Sequence, residues 1–133
     1  LLNYSSLKKR IKINEGFSNK PYKDQLGNYT IGYGHLIKKN EKIFFKKKYN
    51  HSYFINLFNK DFDIAQKNYN KFFSKHSFSR NVEYLYTEMI FQMGIKNVLK
   101  FRKMFNHIKN KNKYLAALEM MDSLWYKQTP KRV

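Results

Sequence analysis

Hydrophobic residues follow a helical period at the start of the chain. Tyr4, Leu7 and Ile11 are spaced three and four residues apart, and lysine and arginine occupy the positions between them, so a helix is predicted over residues 1–14. Asn3 or Ser5 is expected to cap its N-terminus, and Gly16 is expected to end it.

The period then changes from that of a helix to that of a strand. A turn sequence, QLGN, precedes a segment in which bulky and small residues alternate, and a β-hairpin is predicted there. One face of the second strand carries only Thr30, Gly32 and Gly34. With a turn over residues 25–29, Asp24 would lie opposite Thr30 on that bare face. A strand glycine often marks close approach of a ligand, and a bulge or sharp bend is the equal alternative.

Helical periodicity returns after a basic, loop-like segment and continues through the second half of the chain. A long helix is predicted over residues 50–75, capped by Asn50 or Ser52, with helices at about 81–94, 98–108 and 114–124 after it. The buried stripe of the long helix is predicted from apolar residues at helical spacing: Phe54, Phe58, Ala65, Tyr69 and Phe72, with Leu57, Phe62 and Phe73 beside them.

Composition is that of one globular domain with a real core. The chain has 133 residues, of which 42% are hydrophobic and 18% aromatic, and this disfavours disorder. There is no cysteine, which excludes a disulfide framework and a cysteine-ligated metal. No apolar run has membrane-spanning length, and no signal-peptide core is seen at the start. The first residue is Leu rather than Met, as in a processed or excised segment.

The formal net charge is +18, from 27 Lys and Arg against 9 Asp and Glu. Such an excess favours anionic partners: an acidic wall polymer, a membrane surface or nucleic acid. A genome rich in A and T would also produce much of it, because lysine and asparagine have AT-rich codons. No helix-turn-helix, zinc or RNA-binding motif supports a specific nucleic-acid partner.

Two carboxylates stand in different predicted environments. Glu15 follows Ile11 by four residues and continues its apolar stripe at the negative end of the helix, so burial and the helix dipole should both raise its pKa. A surface glutamate just beyond a helix is the alternative. Asp24, at the mouth of the hairpin, should stay ionised, and Thr30 can orient a water molecule. Such a pair is the minimum equipment for glycoside hydrolysis.

Cofactor and metal chemistry have no support in the sequence. The four histidines lack metal-ligand spacing, and no phosphate-binding glycine loop precedes a helix, so neither a metal nor a cofactor is predicted.

Asp61 lies near the stripe of the long helix and would need a partner if buried. His35 is the candidate for that partner, and a solvated Asp61 is the alternative.

Four blocks of the sequence form a recognisable set. In chain order they are residues 12–36 with the pieces KINEG, YKD and YTIGYGHL, then LFNKD at 57–61, FQMG at 91–94 and WYKQTP at 125–130. Together they resemble the tailed-phage lysozymes, the endolysins of glycoside hydrolase family 24, and look closest to those of large coliphages. The spacing from Glu15 through Asp24 to Thr30 matches that family without a gap.

The resemblance implies an α+β fold in a single domain over residues 1–133. A small lobe with a hairpin sheet (about 13–56) would be joined by the long helix to a helical lobe (about 57–133), on which the helix at 1–12 packs. The glycan would lie in the cleft between the lobes.

The resemblance also implies a monomeric muramidase that hydrolyses, with inversion, the β-1,4 bond between N-acetylmuramic acid and N-acetylglucosamine in peptidoglycan. Glu15 would be the proton donor, Asp24 the second carboxylate and Thr30 the residue that positions water. The remaining implied site residues contact sugar or support the site: Gly32, Leu36, Phe91 and Gln92 along the glycan, the ion pair His35–Asp61, and Arg132 near the catalytic glutamate.

Some positions depart from the family pattern. The segment between His35 and Phe58 is shorter than in large-coliphage enzymes, and relatives continue with a final helix beyond Val133. Met104, Glu119 and Leu124 replace residues that line the cleft elsewhere.

The expected role is lysis of a bacterial host from its cytoplasm, through a holin-type pore. The alternatives are a lysozyme domain of a virion tail or baseplate protein, a basic nucleic-acid-binding protein, and an inactive relative, which the intact catalytic positions disfavour.

Overall fold

The computed structural model describes residues 4–24 and 27–105, and a boundary between two compact units falls after Phe62. Each unit is described by itself below. The elements follow this order: α1 (Ser5–Glu15), β1 (Ser18–Lys23), β2 (Tyr29–Gly32), β3 (His35–Leu36), the 3₁₀ helix η1 (Lys42–Phe45), α2 (His51–Phe73), the 3₁₀ helix η2 (Ser74–His76), α3 (Arg80–Met93) and α4 (Ile95–Phe105).

The first helix ends on Glu15, one residue later than predicted. Gly16 ends it as expected, with a φ of 72° and its N–H donating to the Lys12 carbonyl at 2.9 Å. At the other end Tyr4 is the capping position and Ser5 already lies inside the helix, so the expected Ser5 cap is wrong. Asn3 lies outside the described residues.

The hairpin forms, with a third short strand beside it, but its predicted register is wrong. The antiparallel order is β1-β2-β3, and Tyr22 rather than Asp24 is paired with Thr30. The turn closes two residues earlier than expected, because two hydrogen bonds join Asp24 and Asn28. The Asp24 N–H donates to the Asn28 carbonyl at 2.8 Å, and the Asn28 N–H donates to Asp24 Oδ1 at 2.9 Å. Pro21 lies in the edge strand, where a missing N–H is tolerated.

One small core holds the sheet of the first unit against the start of α2. Ile31, Phe44 and Phe54 are buried together, and Phe44 is supplied by η1. Gly32 is also buried here, and a Cβ on it would lie 2.9 Å from Cδ1 of Phe54. The structure thus shows a packing reason for one of the two strand glycines.

The first helix also packs within this unit. Leu7 and Ile11 are buried, and the Tyr4 ring lies 5.8 Å from that of Phe62. The boundary after Phe62 groups α1 with the sheet. The lobe bounds that the family resemblance implies stay a prediction.

In the second unit, α3 and α4 pack with the C-terminal part of α2 around one apolar cluster. The predicted stripe is wrong at its end: Phe72 is 39% exposed, whereas Phe73 is 1% exposed and stacks on Tyr86 at 4.6 Å between ring centroids. The buried positions continue at intervals of four residues from Ala65 through Tyr69 to Phe73, so the stripe follows the i, i+4 row.

The two later helices are confirmed where the structure describes them. Ser79 caps α3, accepting the Val82 N–H, and Gly94, at a φ of 85°, ends it.

At the start of α2, the Asn50 side chain accepts the Tyr53 N–H at 3.0 Å, which confirms the predicted cap. The helix predicted over residues 114–124 lies outside the described residues. Over residues 4–24 and 27–105, no helix has both the length and the apolar character needed to cross a bilayer.

Candidate active site

Glu15 is enclosed by the protein at the C-terminal end of α1, where it is only 1% exposed. Gly34, in the turn between β2 and β3, lies against its side chain. A Cβ on Gly34 would overlap the carboxylate and lie 2.7 Å from Glu15 Cδ. Gly34 also has a φ of 81°, which disfavours any other residue. The second strand glycine therefore makes room for the catalytic candidate itself.

The turn that carries Gly34 is held from its neighbour Tyr33. The Tyr33 hydroxyl lies 2.8 Å from His51 Nε2 at the start of α2, and its ring is 4.9 Å from that of Phe17. Lys12 Nζ stands 5.7 Å from the centre of the same ring. Sequence reasoning missed these contacts, since no local pattern links residue 33 to residue 51.

Asp24 and Thr30 belong to the same hairpin but not to the same cross-strand pair. Asp24 is half-buried beyond the end of β1, where its Oδ1 accepts the Asn28 N–H. Thr30 is buried, and its hydroxyl donates to the Tyr22 carbonyl at 3.3 Å. The Thr30 oxygen can still accept a hydrogen bond from a water molecule.

Leu36, a predicted sugar contact, is the cross-strand partner of Thr30. Paired residues of antiparallel strands share one face of a sheet, so the exposed Leu36 side chain lies beside Thr30. This face therefore combines a buried hydroxyl with an exposed apolar side chain.

The predicted partnership of His35 with Asp61 is confirmed, and a second carboxylate joins it. His35 Nδ1–H donates to Asp61 Oδ2 at 2.7 Å, and Nε2–H donates to Glu41 Oε1 at 3.0 Å. Glu41 Oε1 also accepts the Lys38 N–H at 2.9 Å. Two carboxylates on opposite ring nitrogens stabilise the doubly protonated imidazolium.

Electrostatics at this cluster follow from that arrangement. Burial alone would lower the pKa of His35, but hydrogen bonds and charge from Asp61 and then from Glu41 outweigh it, and the pKa is raised above 6.5. For Glu41, burial acts to raise the pKa. The hydrogen bonds from the Lys38 amide and from His35 lower the pKa by more than burial raises it, so the net shift is downward.

The remaining predicted site residues belong to α3 of the second unit and to the end of the chain. Phe91 and Gln92 are partly buried on α3 of the second unit, and Gln92 Oε1 is a buried atom without a hydrogen-bond partner among the described residues. Arg132 lies outside the described residues. Sugar contacts at Gly32, Leu36, Phe91 and Gln92 remain predictions.

Glu88 was missed by sequence reasoning. It is a carboxylate of α3 that is 3% exposed, beside the equally buried Thr87. The apolar face of α3 predicts the helix from sequence. Glu88 lies away from that face, and its burial depends on neighbouring segments that hydrophobic periodicity does not reveal. Within the described part of the chain, no group of three or more His, Cys, Asp or Glu side chains could hold a metal ion.

Comparison with known proteins identifies the family. The sequence model described as "Phage lysozyme" matches residues 12–133, which include all three catalytic candidates. The chain belongs to the phage lysozyme family. It is therefore a lysozyme, a glycoside hydrolase that cleaves peptidoglycan, and the α+β fold agrees with this membership.

Two relatives from Dictyostelium discoideum show how far the similarity extends. "Probable T4-type lysozyme 2" is 36% identical over 151 residues, covering 96% of this chain and 89% of the relative. "Probable T4-type lysozyme 1" is 34% identical with the same coverage. The alignments are longer than this chain, so the relatives carry insertions with respect to it. The expected nearness to large-coliphage enzymes stays a prediction.

Replacing Asp61 by Asn should destabilise the protein most at about pH 5 and less at about pH 9. Because the folded pKa of His35 is raised, its stabilising effect is complete below about 6.5 and is lost as pH rises through the folded value. We expect a loss of about 2 kcal/mol at the lower pH, or several degrees in melting temperature. Thermal unfolding at both pH values measures it.

Two matched variants control this experiment. Asp63→Asn removes an exposed carboxylate two residues along the same helix and should change little at either pH. Glu41→Gln should also destabilise, with its effect disappearing below the lowered pKa of Glu41, since stability from that group is lost as pH falls. An Asp61→Asn loss that is equal at both pH values would contradict the charged pair.

Replacing Gly34 by Ala should lower kcat by roughly 100-fold, because the new Cβ displaces the Glu15 carboxylate by about an ångström. Gly27→Ala is the matched control: Gly27 has a φ of 83°, but nothing lies within 4 Å of a Cβ there. Both variants share the backbone strain, so only Gly34→Ala should lose activity beyond its loss of stability. Kinetics on purified peptidoglycan, with melting curves, separate the two effects.

Proposed function

We propose that this lysozyme hydrolyses the β-1,4 bond between N-acetylmuramic acid and N-acetylglucosamine with inversion at the anomeric carbon. The observation that carries the proposal is the contrast between its two carboxylates: Glu15 is enclosed against Gly34, whereas Asp24 keeps part of its surface in solvent. An enclosed carboxylic acid is suited to hold a proton, and a solvated carboxylate is suited to accept one.

The residues would act in one concerted step. Protonated Glu15 donates its proton to the glycosidic oxygen as the bond from that oxygen to the anomeric carbon breaks. A water molecule attacks the anomeric carbon from the opposite face, and Asp24 takes the proton that the water loses. Thr30 Oγ accepts a hydrogen bond from this water, since its own proton is directed to the Tyr22 carbonyl. Proton exchange with solvent restores both carboxyls.

The rest of the proposed site binds the glycan. Leu36 offers an exposed apolar side chain next to Thr30, suited to the C–H face of a sugar ring. Gly32, Phe91 and Gln92 are proposed as further contacts, and Arg132 as a cation that supports Glu15. An inverting enzyme leaves room for the attacking water by holding its carboxyls about 6.5–9.5 Å apart.

Replacing Glu15 by Gln should reduce clearing of purified peptidoglycan by at least about 1,000-fold, because the amide cannot donate the required proton. Glu88→Gln is the matched comparison, since Glu88 is also a buried carboxylate but has no role in the proposed step. NMR of the first released products should show the anomer opposite to that of the substrate. Retention would exclude the roles given to Asp24 and Thr30, and full activity of Glu15→Gln would exclude the mechanism.

We further propose a role in lysis of a bacterial host, with the enzyme made in the host cytoplasm and passed to the wall through a holin-type pore. Family membership supports this role, and a virion tail domain is the alternative. The net charge of +18 supports attraction to anionic wall or membrane polymers. Both relatives described above come from a cellular organism, so members of the family also occur outside phages.

Expression in a bacterial cytoplasm tests the role directly. Cells that make the enzyme alone should keep growing, and cells that also make a holin should lyse within minutes of pore formation. Glu15→Gln with the holin is the control for lysis by the pore itself. Lysis without a holin would show that the enzyme reaches the wall by another route and would contradict this proposal.

A further inference from the structure

The short helix η1 turns two large apolar side chains outward. Phe44 is buried between Ile31 and Phe54, and this anchors the helix to the core. Its two neighbours, Ile43 and Phe45, are 50% and 51% exposed. About half of each of these two apolar side chains therefore faces solvent.

A third exposed apolar residue lies next to them. The Tyr29 ring is 5.1 Å from that of Phe45. Lys23 Nζ lies 5.4 Å from the centre of the Tyr29 ring. Successive residues of a strand point to opposite faces, so Tyr29 lies on the opposite face of the sheet from Thr30 and Leu36. This surface is therefore separate from the face proposed to bind the glycan.

Lysines flank this apolar surface in the sequence and outnumber the acids there. Six exposed lysines lie between residues 36 and 50: Lys38, Lys39, Lys42, Lys46, Lys47 and Lys48. Glu41 is the only acidic residue of that stretch, and its carboxylate already accepts from His35 and from the Lys38 amide. Six lysines against one acid leave this stretch with an excess of positive charge that can attract an external anion.

We propose that the basic apolar patch, defined as Tyr29, Ile43 and Phe45 with the six lysines, docks on an anionic phospholipid bilayer. Exposed apolar side chains beside lysines allow burial at the headgroup boundary together with attraction to lipid phosphates. A soluble polyanion would satisfy the lysines but would offer Ile43 and Phe45 no apolar phase. Attachment would hold the enzyme at the membrane that underlies the peptidoglycan.

Vesicle co-sedimentation tests the proposal with the full chain. Wild type should bind vesicles of phosphatidylglycerol and phosphatidylcholine in equal parts, and should bind vesicles of phosphatidylcholine alone at least about tenfold more weakly. Ile43→Ser with Phe45→Ser should reduce binding to the anionic vesicles by about tenfold or more, because the apolar anchors are lost while every charge remains. Activity on soluble peptidoglycan fragments should not change.

The matched control is Ile64→Ser with Phe72→Ser, which removes two exposed apolar side chains of α2, 52% and 39% exposed, outside the patch. This pair should bind vesicles as wild type does. Melting curves establish that each variant is folded, and Ile43→Ser alone replaces the double variant if that one is not.

Three results would overturn the proposal. The first is unchanged vesicle binding by the Ile43 and Phe45 variants. The second is an equal loss in the α2 control, which would indicate general stickiness. The third is tighter binding to duplex DNA than to anionic vesicles at the same salt concentration, weakened equally by the patch variants, because the patch would then be a nucleic-acid site.

Discussion

Enclosure of one carboxylate is the constraint on which the candidate active site depends. Glu15 can be buried at the end of α1 only because Gly34 has no side chain. The turn that carries Gly34 must therefore keep a fixed position against the Glu15 side chain. Gly16 ends the helix directly after the glutamate, and Tyr33 fastens the turn through His51 and Phe17. Two glycines and an aromatic anchor thus position a group that would otherwise be solvated.

A second electrostatic contact ties the sheet to the long helix. His35 of β3 joins Asp61 of α2 across 26 positions of sequence, and Glu41 joins from the loop before η1. The imidazolium thus links three segments of the first unit. Glu41 is the only acidic residue between residues 36 and 50, and it is paired with this histidine. The six lysines of that segment therefore leave it strongly basic.

Much of this could be predicted from sequence because it rests on local pattern. The helix at His51–Phe73, the helix-ending role of Gly16 and the cap at Asn50 depend on neighbouring residues alone. The ungapped spacing from Glu15 to Thr30 and the three distant blocks carried the family, which the match over residues 12–133 confirms. The His35–Asp61 pair followed from the rule that a buried carboxylate needs a partner.

Tertiary structure decided what depends on distant neighbours. The hairpin register accompanies two hydrogen bonds between Asp24 and Asn28, which close a shorter turn than the composition suggests. Phe73 is buried instead of Phe72 because Tyr86 lies on that side. Sequence by itself determined the main helices and the presence of the hairpin, since both follow from local periodicity and turn composition. Only the fold placed Gly34 on Glu15, because that contact joins two segments whose approach no periodicity encodes.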